Sequence, residues 1–160
     1  MLPGTVHALI TTQPREEDPK NLRCATMNTD NTTRDPVKTT VLLIEDQDDV
    51  RGVWAALLGI HGFDVLVAAD GSEGLRIAAQ VRPSLIITDV TMPGMDGLEV
   101  CRRLRATQAS AAIPIIVWSA APLTAPIDEL ANVTLLKPVS VEVLLGHVGK
   151  LLESTNKAWR

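Results

Sequence analysis

The segment LIITDVTMPGMDG, residues 85–97, decides how the rest of the chain is interpreted. Its first four residues favour β-structure and lead directly into one carboxylate, Asp89, after which a proline and two glycines, Gly94 and Gly97, mark a loop. The pattern predicts a buried strand that ends at an acid. In an open parallel α/β sheet, ligands bind outside the carboxyl ends of the strands, so Asp89 is the first candidate functional residue.

Composition restricts the class of protein. With 160 residues, 46% of them hydrophobic and 21% charged, the sequence is typical of a soluble globular protein with one well-buried core. The net charge of -4 and the pI near 5.3 argue against a nucleic-acid surface, because the longest basic run is Arg102-Arg103. We therefore expect no direct DNA binding.

Cysteine usage and hydropathy indicate the compartment. The two cysteines, Cys24 and Cys101, lack the spacing of a metal site, and a reduced protein is the simplest interpretation. No apolar run approaches the roughly 18 residues that span a bilayer, and the N-terminus lacks the features of a signal peptide. We expect a cytoplasmic protein with no membrane segment.

Residues 1–39 differ in composition from the sequence that follows. They contain four prolines and the polar tract Asn28 to Arg34, without a sustained apolar period. We predict a disordered N-terminal extension. It is interpreted either as a regulatory or targeting arm, or as a solvated tail, or as sequence upstream of a true start at Met27.

The remaining sequence alternates between short apolar runs and amphipathic stretches. The runs predict strands at residues 41–44, 63–69, 85–89, 113–118 and 133–136. Every connection is long enough for a right-handed parallel crossover. We predict a doubly wound α/β domain over residues 40–153, with a five-stranded parallel sheet in the flavodoxin-like order 2-1-3-4-5, and a short C-terminal tail at 154–160.

Helix signals lie between the predicted strands and after the last of them. In the first helix an apolar stripe is expected to face the sheet; it consists of Val50, Val53, Trp54, Leu57 and Leu58. Gly62 is expected to end this helix. Asp70 and Ser140 are expected to cap the second and the last helices.

Polar side chains occur where four of these strands end. They are Glu45 and Asp46 after the first strand, Asp89 at the end of the third, Ser119 after the fourth and Lys137 after the fifth. In the predicted strand order the first and third strands flank the switch point, so the three acids are expected to converge there. Taken singly, each residue also has an ordinary explanation as a helix cap, a turn residue or a solvated charge.

Clustered carboxylates beside an amine point to phosphoryl transfer. Three neighbouring acids repel one another unless a divalent cation neutralises them, and Mg²⁺ prefers hard oxygen ligands. The metal and Lys137 can stabilise charge on a phosphoryl group while Asp89 attacks in line. The set therefore predicts a Mg²⁺ site and an aspartyl phosphate at Asp89.

From Val41 to about Leu152 the chain resembles the receiver domain of response regulators in two-component signalling. The motifs that carry the resemblance are Glu45-Asp46, TDVTMPGMDG around Asp89, WSA with Ser119, and Lys137-Pro138. The resemblance implies that Asp89 accepts a phosphoryl group from a sensor histidine kinase or a histidine phosphotransferase.

The resemblance also implies roles for the other site residues. Asp46, Asp89 and the backbone carbonyl of Thr91 would bind Mg²⁺, with Glu45 assisting through metal-bound water. Ser119 would hydrogen-bond one phosphoryl oxygen and Lys137 would pair with another. The peptide bond between Lys137 and Pro138 is expected to be cis.

The sequence departs from the family pattern between Ser119 and Lys137. This connection is shorter than usual and contains Pro122 and Pro126, so the fourth helix is expected to be short or distorted. The aromatic switch position of the family falls on Thr134, and the chain has no tyrosine. In this family the output face is usually made by the fourth helix, the fifth strand and the fifth helix. We therefore expect this chain to signal differently through that face, or to relay phosphate to another protein instead.

The function predicted from these residues is that of a single-domain response regulator in phosphorelay signal transduction, with an unknown downstream protein. It is not an enzyme in the turnover sense, since it catalyses only its own phosphorylation and dephosphorylation. One alternative is a degenerate receiver that acts as a phosphorylation-independent interaction module. Another is a Mg²⁺-dependent phosphohydrolase with an aspartyl nucleophile, which would usually place a second acid where this chain has Thr91.

Overall fold

A computed structural model describes residues 39–124 and 127–158 of the chain. The extension predicted to be disordered lies outside these ranges except for Thr39, and so does Pro126. No helix among the described residues is long and apolar enough to cross a membrane.

Strands and helices alternate along the described chain. In order they are β1 (Thr40–Ile44), α1 (Asp48–Ile60), β2 (Asp64–Ala68), α2 (Gly71–Val81), β3 (Leu85–Asp89), α3 (Gly97–Ala106), β4 (Ile115–Ser119), β5 (Val133–Leu136) and α4 (Val141–Ala158). All five strands pair in parallel in the order β2-β1-β3-β4-β5. The predicted fold class and strand order are confirmed.

The central strands are buried on both faces, which explains why they read as continuous apolar runs. Side chains of a strand alternate between the two faces of the sheet. In β1, Leu42 and Ile44 accordingly join a core cluster with residues of α2 and α3. Val41 and Leu43 join a second cluster with residues of α1 and α4. The sheet thus separates two apolar layers.

The stripe predicted for α1 is partly wrong. Leu58 is fully buried and Trp54 packs partly buried against the second core cluster, but Val53 is 58% exposed. Val53 precedes Leu58 by five positions, which at about 100° per residue places it on a largely opposite side of the helix. Residues spaced by three or four from Leu58 face the sheet instead.

Caps and helix ends follow the sequence signals. The Asp70 carboxylate accepts from the Glu73 N–H at 2.8 Å, and the Ser140 hydroxyl accepts from the Val143 N–H at 3.3 Å. Gly62 has a positive φ of 91° just after α1, a conformation that glycine adopts without steric cost. These predictions are confirmed.

The connection from β4 to β5 differs most from a regular doubly wound fold. Residues 120–124 and 127–132 contain a turn at 128–130 and no α-helix, which agrees with the predicted short or distorted fourth helix. Ile127 and Ala131 are nevertheless buried in the first core cluster. The connection therefore covers the sheet with loop side chains.

Several strand boundaries differ from the prediction by one or two residues, and the last helix is longer than the predicted domain allows. β4 begins at Ile115 rather than at Ile113, because Pro114 has no N–H to donate to the strand ladder. α4 continues through Ala158, beyond the predicted domain end at residue 153. The domain limits of 40–153 stay a prediction.

Candidate functional site

Asp89 ends β3 in the middle of the sheet and is 3% exposed. Pairing with β4 continues past it, since the Val90 N–H donates to the Trp118 carbonyl at 3.0 Å. The start of α3 then returns to the same place, where the Gly97 N–H donates to the Val90 carbonyl at 3.0 Å. A Cβ atom at Gly97 would overlap the backbone carbonyl oxygen of Asp89. Glycine is therefore required for this close approach.

Glu45 and Asp46 follow β1, the neighbour of β3. Glu45 is fully buried and Asp46 is half-buried. One carboxylate oxygen from each of these two residues and one from Asp89 lie within 4.8 Å of one another. The structure thus brings together the three acids that the sequence pattern placed at the switch point.

Lys137 reaches this cluster from the end of β5. Its Nζ atom lies 2.9 Å from Oε2 of Glu45 and 3.0 Å from Oδ2 of Asp89. Burial lowers the pKa of Lys137, but the hydrogen bonds to Glu45 and Asp89 and the charges of both carboxylates outweigh it and leave the pKa raised. Lys137 is therefore a cation that holds two acids of the cluster together. The bond to Pro138 is cis, as predicted.

Two carboxylate oxygens of the acidic cluster are not satisfied by hydrogen bonds from the described residues. Within the described part of the chain, Oδ1 of Asp46 and Oδ1 of Asp89 are buried and have no hydrogen-bond partner. A buried carboxylate oxygen without a partner is costly unless a cation or water satisfies it. Hard oxygen donors at this spacing suit Mg²⁺. The residues present fit that ion.

The positions of Ser119 and Thr91 do not by themselves establish the site roles predicted for these two residues. The Ser119 hydroxyl donates to the Ala121 carbonyl at 2.6 Å and accepts from the Ala121 N–H at 3.2 Å. Among the described residues it makes no hydrogen bond to Asp89 or Lys137, although it lies at the same sheet edge. Thr91 is exposed in the loop after β3. The predicted roles of both residues stay predictions.

Trp118 forms the apolar wall behind the cluster. It is fully buried, its ring centroid lies 5.4 Å from Lys137 Nζ, and it packs against Trp54 with centroids 5.3 Å apart. A cation over an indole face is attracted to it. Both tryptophans border a cleft of about 440 Å³ that extends to Lys137 and Pro138.

Sequence reasoning missed two residues that contact this site. One is Trp118, which the sequence places in a strand and in the WSA motif without indicating a contact with the acids or Lys137. The other is Arg51, whose guanidinium hydrogen-bonds the backbone carbonyls of Glu45 and Asp46. In the sequence, Arg51 stands three residues after Asp48, a spacing that predicts only an ion pair on the helix surface. Such pairs are common, so the spacing gave no indication of the contact with the two carbonyls.

Cys101 is the only cysteine among the described residues. It is fully buried in α3 within the first core cluster. Desolvation by burial raises the pKa of its thiol to about 11. Cys101 is therefore a core residue, small and apolar enough to pack among the side chains of the first cluster.

Comparison with known proteins gives consistent matches. The family model of the response regulator receiver domain matches residues 41–149. The chain is 37% identical over 127 residues to the transcriptional regulatory protein AfsQ1 of Streptomyces coelicolor, covering 74% of this chain and 55% of that protein. It is 38% identical over 119 residues to the response regulator MprA of Mycobacterium leprae, covering 72% and 51%. The chain spans about half the length of the curated relatives it matches.

Solved structures resemble it over nearly their whole length. The chemotaxis protein CheY4 of Vibrio cholerae has a TM-score of 0.67 at 30% identity, covering 71% of this chain and 98% of that chain. The response regulator TrrA of Thermotoga maritima, solved in complex with Mg²⁺ and BeF, has a TM-score of 0.66 at 25% identity, with coverage of 71% and 98%.

Proposed function

The chain belongs to the response regulator receiver domain family, and from this membership we propose that it accepts a phosphoryl group on Asp89 in a Mg²⁺-dependent reaction. The observation that carries the proposal is the state of the Asp89 carboxylate. One of its oxygens is held by Lys137 at 3.0 Å while the other, Oδ1, is buried without a partner among the described residues. One oxygen is thus held by Lys137, and the other has no partner in the described part of the chain to satisfy it.

In the proposed reaction, a carboxylate oxygen of Asp89 attacks the phosphorus of a phosphohistidine in line. A new bond from oxygen to phosphorus forms, the bond from phosphorus to the donor nitrogen breaks, and the electron pair stays with the donor imidazole. Asp46, Asp89 and the Thr91 carbonyl are the proposed Mg²⁺ ligands, with Glu45 acting through water. Bound Mg²⁺ supplies charge neutralisation for the carboxylates and the phosphoryl oxygens.

Lys137 and Ser119 are proposed to recognise the transferred group. Lys137 already lies within hydrogen-bond distance of Asp89, so its ammonium can pair with a phosphoryl oxygen with a small movement. The Ser119 hydroxyl has to leave the Ala121 carbonyl to donate to another phosphoryl oxygen. Ser119 thus exchanges one acceptor for another when Asp89 is phosphorylated.

The proposed phosphoryl donor is a sensor histidine kinase or a histidine phosphotransferase, and the recipient of the signal is a further protein. Relatives such as the transcriptional regulatory protein AfsQ1 are about twice as long as the matched region. The expectations of a stand-alone receiver and of no direct DNA binding therefore stay predictions. The chemistry is self-phosphorylation and autodephosphorylation at Asp89, not turnover of a substrate.

The second candidate function is that of a phosphorylation-independent interaction module. Two observations favour it, both on the side of β5. Residues 120–124 and 127–132 form no α-helix, and Thr134 occupies the position where the family usually has an aromatic switch residue. Neither feature touches the acids or Lys137, so the phosphoacceptor proposal is preferred.

Beryllofluoride binding tests the proposed function without a cognate kinase, since this anion mimics a phosphoryl group on a carboxylate. We expect beryllofluoride with Mg²⁺ to raise the melting temperature of the protein and of Asp49→Asn, an exposed control on α1. Asp89→Asn should show no such shift. Absence of a shift in the unmodified protein would favour the interaction module.

A further inference from the structure

Arg51, in the first turns of α1, contacts the loop that carries the acidic pair. Its Nη1 donates to the carbonyl oxygen of Glu45 at 2.7 Å and to that of Asp46 at 3.3 Å. Its Nη2 pairs with the carboxylate of Asp48. The Arg51 side chain is only 17% exposed, whereas Asp48 is 86% exposed. The two backbone contacts are thus the more buried part of this arrangement.

The two carbonyls belong to a segment that has left the sheet. The pairing of β1 with its neighbours ends at Ile44, and beyond it the Glu45 N–H still donates to the Ala68 carbonyl at 3.1 Å. The Glu45 and Asp46 carbonyls therefore need donor partners outside the ladder. The planar guanidinium of Arg51 provides donors for both, which an ammonium group with its different geometry would not do in the same way.

We infer that Arg51 is a positioning residue for the acidic pair. By holding both carbonyls, it fixes the backbone from which the Glu45 and Asp46 side chains extend, so that their oxygens have the spacing for a divalent cation before one binds. The inference rests on the proposed function, because it assigns Arg51 to the proposed Mg²⁺ site. Arg51 itself touches neither substrate nor metal in this account.

Charge and positioning predict opposite results when Arg51 is neutralised. A guanidinium behind the site repels Mg²⁺, so loss of its charge alone should tighten Mg²⁺ binding. Loss of the two carbonyl contacts should loosen the loop and weaken Mg²⁺ binding. Groups that orient metal ligands typically contribute about 10- to 100-fold to metal affinity. The sign of the change therefore separates the two effects.

The test compares Arg51→Gln with Arg102→Gln in the full chain. Arg102 is a matched control, since it makes an i,i+3 ion pair with Glu99 at 2.9 Å on α3. Mg²⁺ affinity is measured by isothermal titration, and amide hydrogen exchange of residues 45–48 is followed in metal-free protein. We expect Arg51→Gln to bind Mg²⁺ about 10-fold more weakly and to exchange faster at these amides, with Arg102→Gln unchanged.

Two further variants keep the test decisive. Arg51→Lys retains the charge and should give an intermediate affinity, and it replaces Arg51→Gln if that variant does not fold. Asp48→Asn removes only the exposed ion pair and should bind Mg²⁺ nearly as the unmodified protein does. Unchanged or tighter Mg²⁺ binding in Arg51→Gln would overturn the inference while leaving the proposed function intact. Failure of the unmodified protein to bind Mg²⁺ would overturn the proposed function, and the inference with it.

Discussion

The ammonium of Lys137 lies 2.9 Å from Oε2 of Glu45, a carboxylate with no exposure to solvent. The same nitrogen contacts Asp89 at 3.0 Å. Lys137 follows the edge strand β5, whereas the two acids end or follow central strands. One side chain therefore links three strand ends and neutralises part of a buried negative cluster.

Replacing Lys137 by methionine should destabilise the metal-free protein by about 2–3 kcal/mol, because it leaves Glu45 buried without its cation. The value lies at or below the low end of the range for buried ion pairs, because Lys137 is 24% exposed. Mg²⁺ should restore part of the loss. Urea unfolding with and without Mg²⁺ measures both effects, and the exposed Lys150→Met on α4 is the control. Equal unfolding free energies for the two variants would contradict this account.

The Lys137 contacts also predict a dependence on alkaline pH. The pKa of Lys137 is raised above its ordinary value of 10.5, so its ion pairs contribute to stability below that pH. The contribution is lost as pH rises through the higher pKa of the folded state. The difference in unfolding free energy between the unmodified protein and Lys137→Met should therefore shrink above pH 10.5. A difference that grows with pH would show that the sign is wrong.

Gly97→Ala should destabilise the protein by about 1–3 kcal/mol, because the new Cβ overlaps the Asp89 carbonyl and pushes α3 away from Asp89. Gly52→Ala is the matched control. A Cβ at Gly52 on α1 meets nothing within 4 Å, and alanine should stabilise that helix by about 0.5–1 kcal/mol. Chemical denaturation compares the two. Similar effects in both variants would remove the argument for close approach at Gly97.

Cys101 should be nearly inert toward thiol reagents in the native state, since its thiol is buried and its pKa is raised to about 11. Labelling with a maleimide in a Cys24→Ser background follows this residue alone. Denaturant should restore rapid labelling. Fast labelling of the native protein would mean that α3 opens readily or that Cys101 is accessible.

The sequence predicts the strand order and the gathering of acids because both follow from simple rules. Apolar runs bounded by turn signals identify parallel strands, and their carboxyl ends meet at one edge, which brings Asp89 to Glu45. The cap at Asp70 and the turn at Gly62 depend on local chemistry and were equally readable. Local rules and topology together determine most of the site.

Features that depend on tertiary contacts could not be predicted from the sequence by these rules. Val53 fits a helical stripe by spacing, yet it is exposed because the buried face of α1 is centred nearer Leu58. The reach of Arg51 back to two backbone carbonyls depends on the path of the loop after β1. The Ser119 hydroxyl donates to the Ala121 carbonyl in its own loop, whereas the proposed function has it donate to a phosphoryl oxygen. The spacing of residues in the sequence does not distinguish these two acceptors.

The central claim is that Asp89 is the phosphoacceptor, and intact-mass spectrometry after incubation with acetyl phosphate tests it most directly. The unmodified protein and Asp49→Asn should each gain one phosphoryl group with Mg²⁺ and none without it. Asp89→Asn should gain none under either condition. Equal phosphorylation of Asp89→Asn, or uptake that does not need Mg²⁺, would contradict the claim.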